Sequence, residues 1–424
     1  MPRLVRATWS PDPADVAGLP RRHRQPCTYD AHVPDPLVGR EVLLPADVAA
    51  DVSDAERAVQ HLNTGELPFR GYEAVARLLL RAEAVASSRI EGLEIGGRRL
   101  ARADAARRDD GSSPDAGAAE VLGNIDAMRA AVDDVARRPR IGVEGIRDIH
   151  HALLHGTRDA AWAGRVRTTQ NWIGGGSYNP CQAEFVPPPP GEVAALLEDL
   201  ADYLESDLHP PLVQAALAHA QFETIHPFPD GNGRTGRALI HVVLTRRGLS
   251  PRHVPPISLV LATRGRDYVA GLTSYRDPDA PRGVADWIAT FAAATTEACG
   301  RVAELTDGLA ALRERWREAV GAVRAGSTVE LLLDEVLAQL PVLTVAHLVR
   351  ATGRSDQAVN EAVERLHRAG VLQQTSTGRR NRTFEVAGLV DLLTGFERSL
   401  ASPAGDTAVA PPVRAVPVRP RPPR

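Results

Sequence analysis

The sequence predicts a mainly α-helical protein with a C-terminal winged-helix domain. Three observations predict it. Apolar residues recur at helical spacing through most of the chain; the hydrophobic fraction is 43% with only 4% aromatic, an Ala/Leu/Val-rich composition; and residues 327–386 read helix, helix-turn-helix, strand, turn, strand. At 424 residues, two or three domains are expected.

Taken in order, residues 1 to about 45 are Pro-rich and read as irregular chain around a helical body. Helical periodicity starts near Pro45. The run 71–89 places Val75, Leu78, Leu79, Ala82 and Val85 on one stripe and ends in Ser87-Ser-Arg-Ile-Glu91-Gly92. Residues 103–118, rich in Asp, Arg, Gly and Ser, read as an exposed loop. Helices follow at 119–137 and 143–155. An extended element, residues 182–186, sits between Gly174-Gly-Gly-Ser-Tyr-Asn-Pro and Pro187-Pro-Pro-Pro. Residues 192–204, 211–223 and 235–247 are helical, the second apolar enough to be central. After further helices, Ser327–Leu340 is a helix. Ser355 caps a helix with Val359, Ala362, Val363 and Leu366 on its buried stripe, and two strands flank a wing carrying Arg379, Arg380 and Arg382. The Pro/Arg-rich end reads as disordered.

Composition excludes several classes. The net charge of −3 argues against a bulk polyanion binder. Every basic residue is arginine, so neither a P-loop lysine nor a Schiff-base lysine is available. Cys27, Cys181 and Cys299 are odd in number and far apart, which makes a disulfide framework implausible and points to a reducing cytoplasm. Neither a signal peptide nor a membrane-spanning run is visible. His150, His151 and His155 lack an acid partner at metal-site spacing and read as helix-surface histidines.

The chemistry concentrates in His226-Pro-Phe-Pro-Asp-Gly-Asn-Gly-Arg-Thr-Gly-Arg237. His226 precedes a proline, which disfavours helix and places it at a helix end. An imidazole there can take a proton from a hydroxyl near neutral pH. Phe228 anchors the loop. Asp230 is a hard oxygen ligand suited to Mg²⁺ on phosphates. Gly231 and Gly233 allow close backbone approach, Asn232 supplies an amide donor, and the following helix N-terminus completes an anion nest. Arg234 and Arg237, three apart on that helix start, can both face phosphate oxygens. A tight loop with a capping Asp and two surface arginines would explain each residue singly, but not the set.

Without a gap, this stretch resembles the Fic family signature, His-x-Phe-x-Asp/Glu-Gly-Asn-Gly-Arg-x-x-Arg. The resemblance implies a helical Fic core with a short β flap hairpin, in a protein that transfers AMP from ATP to Ser, Thr or Tyr hydroxyls of a protein. It implies His226 as catalytic base, Asp230 as Mg²⁺ ligand, and Gly231, Asn232, Gly233, Arg234 and Arg237 as nucleotide-phosphate binders. Tyr268 resembles a nucleotide-site tyrosine of some members, a helix-surface tyrosine being the plain alternative. Gln182, Ala183, Glu184 and Phe185 resemble the flap that docks the target as an added strand. The stretch from Arg165 to Trp172 is similar to a segment that precedes the flap, without a separate chemical role.

Ser87, Glu91 and Gly92 are similar to the family's inhibitory motif, here upstream of the core. A carboxylate beside Arg237 would take the space and charge meant for the γ-phosphate. An ordinary helix end has the same residues; the downstream motif favours the inhibitory reading. The expected organisation is a helical N-terminal segment (1–118), a catalytic core (119–300), a connecting helix (301–326), a winged helix (327–395) and a disordered tail (396–424). Expected partners are ATP, Mg²⁺, a protein substrate and the chain itself by self-modification, with a homodimer in keeping with the family. Arg354, Arg365 and Arg368 with the wing arginines leave DNA contact open, but Glu361 and Glu364 on the same helix weaken the field. The alternatives are another Fic reaction (a different nucleotide, phosphocholine transfer or AMP removal) and a nucleotide-sensing DNA-binding regulator.

Overall fold

The N-terminal residues pair as strands where irregular chain was expected. β1 (Arg3–Trp9) runs antiparallel to β2 (Cys27–Val33), from Arg3↔Val33 to Trp9↔Cys27. The prolines that suggested irregularity fall before, between or after the strands, where no ladder hydrogen bond is lost. The computed structural model describes residues 2–10, 24–64, 72–111, 115–175, 178–277, 279–280, 282–375 and 382–401.

A second correction concerns cysteine. Cys27, at the start of β2, is disulfide-bonded to Cys181, while Cys299 is free and buried. The two bonded residues are 154 apart in sequence. They meet because β2 runs beside residues 180–186, with the His32 amide donating to the Val186 carbonyl at 2.9 Å. The cysteine count therefore no longer argues for a reducing compartment.

The helical body begins with α1 (Ala46–Thr64) and α2 (Tyr72–Ile90). Next come α3 (Gly97–Asp110) and α4 (Ala116–Arg129). α3 replaces the first half of the loop expected at 103–118, and α4 starts within its end. The polar composition of α3 hid it: Leu100, Ala101 and Ala105 are buried, and Asp104 pairs with Arg81 and Arg108 at 3.4 and 3.0 Å. α4 passes into a π turn, Ala130–Asp134, rather than running as one helix to 137. α5 (Gly142–Leu154) packs against α4.

Three helices make the centre. α6 (Pro190–Leu204) and α7 (Pro211–Ile225) each start on proline, whose missing N–H is no loss at a first helical position. α7 is buried from Leu212 to Ile225, and α8 (Asn232–Arg246) is buried from Asn232 to Leu244. Helices enclosed on every side lose their polar outer face, and α7 accordingly buries even its Gln214, His219, Gln221, Glu223 and Thr224. α9 (Ile257–Thr263) and α10 (Gly265–Arg276) lead to α11 (Gly283–Val320). α11 is one unbroken helix of 38 residues that runs through position 300, where the core was expected to pass into a connecting helix.

The C-terminal unit has α12 (Thr328–Leu331), a π turn to Val336 and a 3₁₀ turn to Gln339, instead of one helix over 327–340. Then come β3 (Val342–Thr344), α13 (Val345–Thr352), α14 (Asp356–Arg368), β4 (Leu372–Gln374) and β5 (Thr383–Val386), in sheet order β3-β5-β4. Ser355 caps α14, its hydroxyl accepting from the Ala358 amide at 3.3 Å. Val359, Ala362, Val363 and Leu366 are buried. α15 (Leu389–Ala401) is helical where the tail was expected to begin at 396. Arg379, Arg380 and residues 402–424 lie outside the described residues.

This unit packs on the N-terminal helices. Arg89 of α2 pairs with Glu397 at 3.1 Å; Arg98 of α3 pairs with Glu385 at 2.9 Å and Asp391 at 2.8 Å.

Candidate active site

The site forms where α7 stops and α8 starts. His226 caps α7 at φ 48°, ψ 60°, the only non-glycine residue with positive φ among the described residues. A left-handed conformation costs an L-residue about 1–2 kcal/mol, so other groups must hold it. Arg167 Nε donates to the His226 carbonyl at 2.8 Å, and Asn171 Nδ2 donates to it at 3.2 Å. Arg167 Nη2 also donates to the Pro188 carbonyl at 2.6 Å. Arg167 and Asn171 belong to the segment for which sequence reasoning found no chemical role; they pin the turn through main-chain carbonyls. Burial lowers the His226 imidazole to about 4, with Arg276 pushing down, Glu91 pulling up and Arg167 pushing down again. The ring is therefore neutral at pH 7, the form that accepts a proton.

The loop that follows is braced from within. Phe228 is fully buried and stacks on His150, with ring centroids 3.7 Å apart. His150 is thus no surface residue: its Nε2–H donates to the Asp230 carbonyl at 3.0 Å, and its Nδ1 accepts from the Gly164 amide at 3.0 Å. His151 and His155 are exposed. Asn232 has its side chain engaged on the loop, accepting from the Phe228 amide and donating to the Phe228 carbonyl, both at 2.8 Å. Its main-chain N–H, at the start of α8, remains the group for an anion. Gly231 is left-handed at φ 75°, and a Cβ there would lie 2.8 Å from Leu153 Cδ2.

Both signature arginines are buried. Arg234 is 3% exposed and meets Asp230 Oδ2 at 3.3 Å, while its Nε and Nη1 have no partner among the described residues. Arg237 is 1% exposed. Its Nε donates to Ser87 Oγ at 2.9 Å, and its Nη2 donates to the Ser87 carbonyl at 2.9 Å and to Glu91 Oε1 at 2.6 Å. Burial pulls the Arg237 guanidinium down, but Glu91, Tyr268 and Glu223 outweigh it and hold it above its ordinary range. Burial pushes the Glu91 carboxyl up, and Arg237 with Arg234 and His226 brings it below the usual carboxylate range.

The position of Glu91 follows from how α2 ends. The Leu93 amide donates to the Ser88 carbonyl and the Gly92 amide to the Arg89 carbonyl, both at 3.0 Å, with Gly92 at φ 79°. This is a Schellman motif with Gly92 as its left-handed residue, which makes Glu91 the C-cap. Glu91 is thus a helix end and also Arg237's partner; the two readings of Ser87–Gly92 coincide. A Cβ on Gly233 would lie 1.9 Å from Glu91 Oε1, so the carboxylate sits directly on the α8 N-terminus. A second anchor lies eight residues earlier: Glu83 Oε1 accepts from His241 Nε2 at 2.9 Å and from Ser258 Oγ at 2.6 Å.

Tyr268 is buried, its hydroxyl 2.8 Å from His219 Nε2, behind Arg237 rather than on a helix surface. Among the described residues, the segment expected as a flap holds one antiparallel bridge, Ile173↔Phe185, with Gln182 in a 3₁₀ turn (Pro180–Gln182). Glu184 borders Gly174, where a Cβ would lie 2.7 Å from its side chain. Arg276 stacks over Phe185 at 4.0 Å. Between β2, the flap and α10 opens a cavity of about 410 Å³, lined by His32, Ala183, Phe185, Thr273 and Arg276 among others.

Among the described residues, no group of three or more His, Cys, Asp and Glu side chains is placed to hold a metal ion. Asp230, 61% exposed at its side chain, is a single carboxylate. That donor set fits Mg²⁺ whose remaining ligands are phosphate oxygens and water. No helix among the described residues is long and apolar enough to cross a membrane.

A helix N-terminus, two buried arginines and a neutral histidine thus meet at the α7–α8 junction of a mainly helical protein, with the Glu91 carboxylate seated on Arg237. The pattern of the Fic/DOC family matches residues 140–244, and that of the Fic/DOC family N-terminal region matches residues 49–133. The chain is 37% identical over 133 residues to protein adenylyltransferase fic-1 of Caenorhabditis elegans, covering 31% of this chain and 23% of that protein. Against protein adenylyltransferase Fic of Drosophila willistoni the identity is 37% over 140 residues, covering 32% and 26%. The chain thus spans about a quarter of the curated relatives it matches. Among solved structures, a Fic family protein from Desulfovibrio desulfuricans G20 aligns with a TM-score of 0.48 and 20% identity, over 82% of this chain and 98% of that one.

Proposed function

We propose that the chain is a protein adenylyltransferase, transferring AMP from ATP to a hydroxyl of a protein and held inactive by Glu91. The observation that carries this is the Glu91 carboxylate lying on Arg237 and against Gly233. An acid there satisfies the groups that would otherwise receive a terminal phosphate.

In the active state Glu91 withdraws, and Arg237, Arg234 and the first amides of α8 take the phosphate charge. Neutral His226 accepts the proton of the target hydroxyl as its oxygen bonds to the α-phosphorus and pyrophosphate leaves. Asp230 is the residue that would hold Mg²⁺, which when bound neutralises phosphate charge. The flap residues 182–185 serve as the edge for an extended target segment. The buried, pre-aligned donors need no reorganisation at the moment of transfer.

The test compares wild type with Glu91→Gly, each incubated with ATP and Mg²⁺, by intact mass. Strong self-modification in the variant and little in wild type is expected. Equal modification of both would remove the inhibitory reading, and none in either would remove the adenylyltransferase reading.

A further inference from the structure

Building on that adenylyl-transfer reading, we infer that Glu223, one turn before His226 on α7, is a positioning residue that accepts the Nδ1–H of His226 and so turns Nε2 toward the attacking hydroxyl.

A neutral imidazole carries one N–H, and its other nitrogen holds the lone pair. If Nε2 is to take the proton, Nδ1 must carry the hydrogen, and a buried N–H requires an acceptor. His226 Nδ1 makes no well-formed hydrogen bond among the described residues; the Glu223 carbonyl draws the imidazole up only weakly and already accepts from Arg276 Nη2. The carboxylate that faces it is Glu223, with Oε2 at 3.9 Å. Glu223 is itself 6% exposed, and its Oε1 also lacks a partner among the described residues. Glu223 Oε2 thus lies about one ångström beyond hydrogen-bond distance of Nδ1, while its unpartnered Oε1 lies against Gly236, so a rotation of the carboxylate closes the gap without breaking a hydrogen bond at Oε1.

The surroundings leave room for this carboxylate and hold its main chain. A Cβ on Gly236 would lie 2.8 Å from Glu223 Oε1, so glycine between the signature arginines keeps the acid's space. Arg276 donates from Nη2 to the Glu223 carbonyl at 3.1 Å and from Nε to Thr224 Oγ1 at 3.2 Å. The His226 carbonyl is already held by Arg167 and Asn171, so a restraint on Nδ1 would fix the ring as well as the backbone.

Burial pushes the Glu223 carboxyl up to about 7, with Arg237 and Arg276 drawing it down and Glu91 pushing it up. In the transfer, the hydroxyl proton goes to Nε2, Nδ1 keeps its own, and Glu223 stays ionised as countercharge to the imidazolium.

The test uses the full chain in the Glu91→Gly background, adding Glu223→Ala or Glu223→Gln. Self-modification rate, ATP binding by calorimetry and the ¹⁵N signals of the His226 ring (assigned by their loss in His226→Ala) are measured. The Ala variant should lose about 10²-fold in rate, as removal of acid–base positioning does. Its ATP affinity should be unchanged, and the ring proton should move from Nδ1 toward Nε2. The Gln variant, which keeps shape and an acceptor oxygen, should fall between. A rate and a tautomer equal to the parent's in Glu223→Gln and Glu223→Ala would overturn the assignment. If Ala does not fold, as judged by its thermal melt, parent-like behaviour of Gln alone overturns it. If the Glu91→Gly parent transfers no AMP, the adenylyltransferase reading fails, and the ring tautomer still decides the role of Glu223.

Discussion

Two regions of this chain are rich in arginine, and among the described residues they differ in whether the donors are left free or engaged on the fold itself. At the α7–α8 junction, Arg234 and Arg237 are buried around one point, with two Arg234 nitrogens unpartnered among the described residues and Arg237 turned onto Glu91. In the C-terminal helix-turn-helix the described arginines are engaged on the unit itself. Arg365 donates to the Val320 and Ala322 carbonyls, Arg354 to the Gly326 carbonyl, Arg368 to the Glu364 carbonyl, and Arg382 to Glu364 and Asn360. The number of arginines says little about anion binding. What matters is whether the fold leaves their donors directed at a common point, and the comparison favours a structural use for the C-terminal cations.

The largest effect expected at the catalytic end is that of His226→Ala. In the Glu91→Gly background it should lower self-modification by roughly 10²–10⁴-fold, the usual weight of a general base; mass spectrometry at fixed times measures this. The same residue predicts an acid titration. The imidazole is lowered from 6.5 to about 4, so it stays neutral from pH 8 to below 6 and charges only on approach to about 4. A ring signal titrating near 6.5 in the folded protein would contradict its burial. Next in size is Glu91→Gly alone. A charge-assisted hydrogen bond is worth about 1.5–3 kcal/mol, so freeing Arg237 should raise the rate by about ten- to a hundredfold.

The catalytic end was the more legible of the two because its chemistry is contiguous. His226, Asp230, Arg234 and Arg237 lie within one loop and helix start, and residue type alone suggests the chemistry proposed for them. Glu91 was legible only with that loop in hand. Arg167 and Asn171 were not, since they act through backbone carbonyls that carry no sequence signal. Glu223 reads as one polar residue in an apolar helix until the turn at His226 brings the two together. The Cys27–Cys181 bond needed the hairpin, which the prolines concealed. α3 was hidden because its charges pair with one another instead of facing water. The helix-turn-helix was readable from its cap and apolar stripe, but the engagement of its arginines was not, because carbonyl acceptors are supplied by the ends of other helices.

A smaller effect links the two regions. α2 is held on its inner side by Arg237 at Ser87 and Glu91, and on its outer side by Arg89 with Glu397 of α15. The outer pair retains 32% and 18% side-chain exposure, and a partly exposed pair is worth about 0–1 kcal/mol. Glu397→Ala should therefore raise wild-type self-modification by a few-fold at most, through looser seating of α2. A rise equal to that of Glu91→Gly would show that the C-terminal unit, and not Arg237, sets the position of the brake.

The smallest catalytic effect belongs to Arg365. Its guanidinium donates to the Ala322 carbonyl at 2.5 Å and the Val320 carbonyl at 3.3 Å, just where α11 ends. Those carbonyls lack helical partners, and a cation at a helix C-terminus also meets the negative end of its dipole. Arg365→Ala should thus lower the thermal stability of the C-terminal unit by about 1 kcal/mol while leaving AMP transfer by Glu91→Gly unchanged. Nucleic-acid affinity at low salt, if there is any, should not depend on this side chain, because its donors are already engaged. A salt-sensitive loss of DNA binding in Arg365→Ala, with no loss of stability, would reverse the comparison: the C-terminal arginines would then be released from their carbonyls when a polyanion arrives.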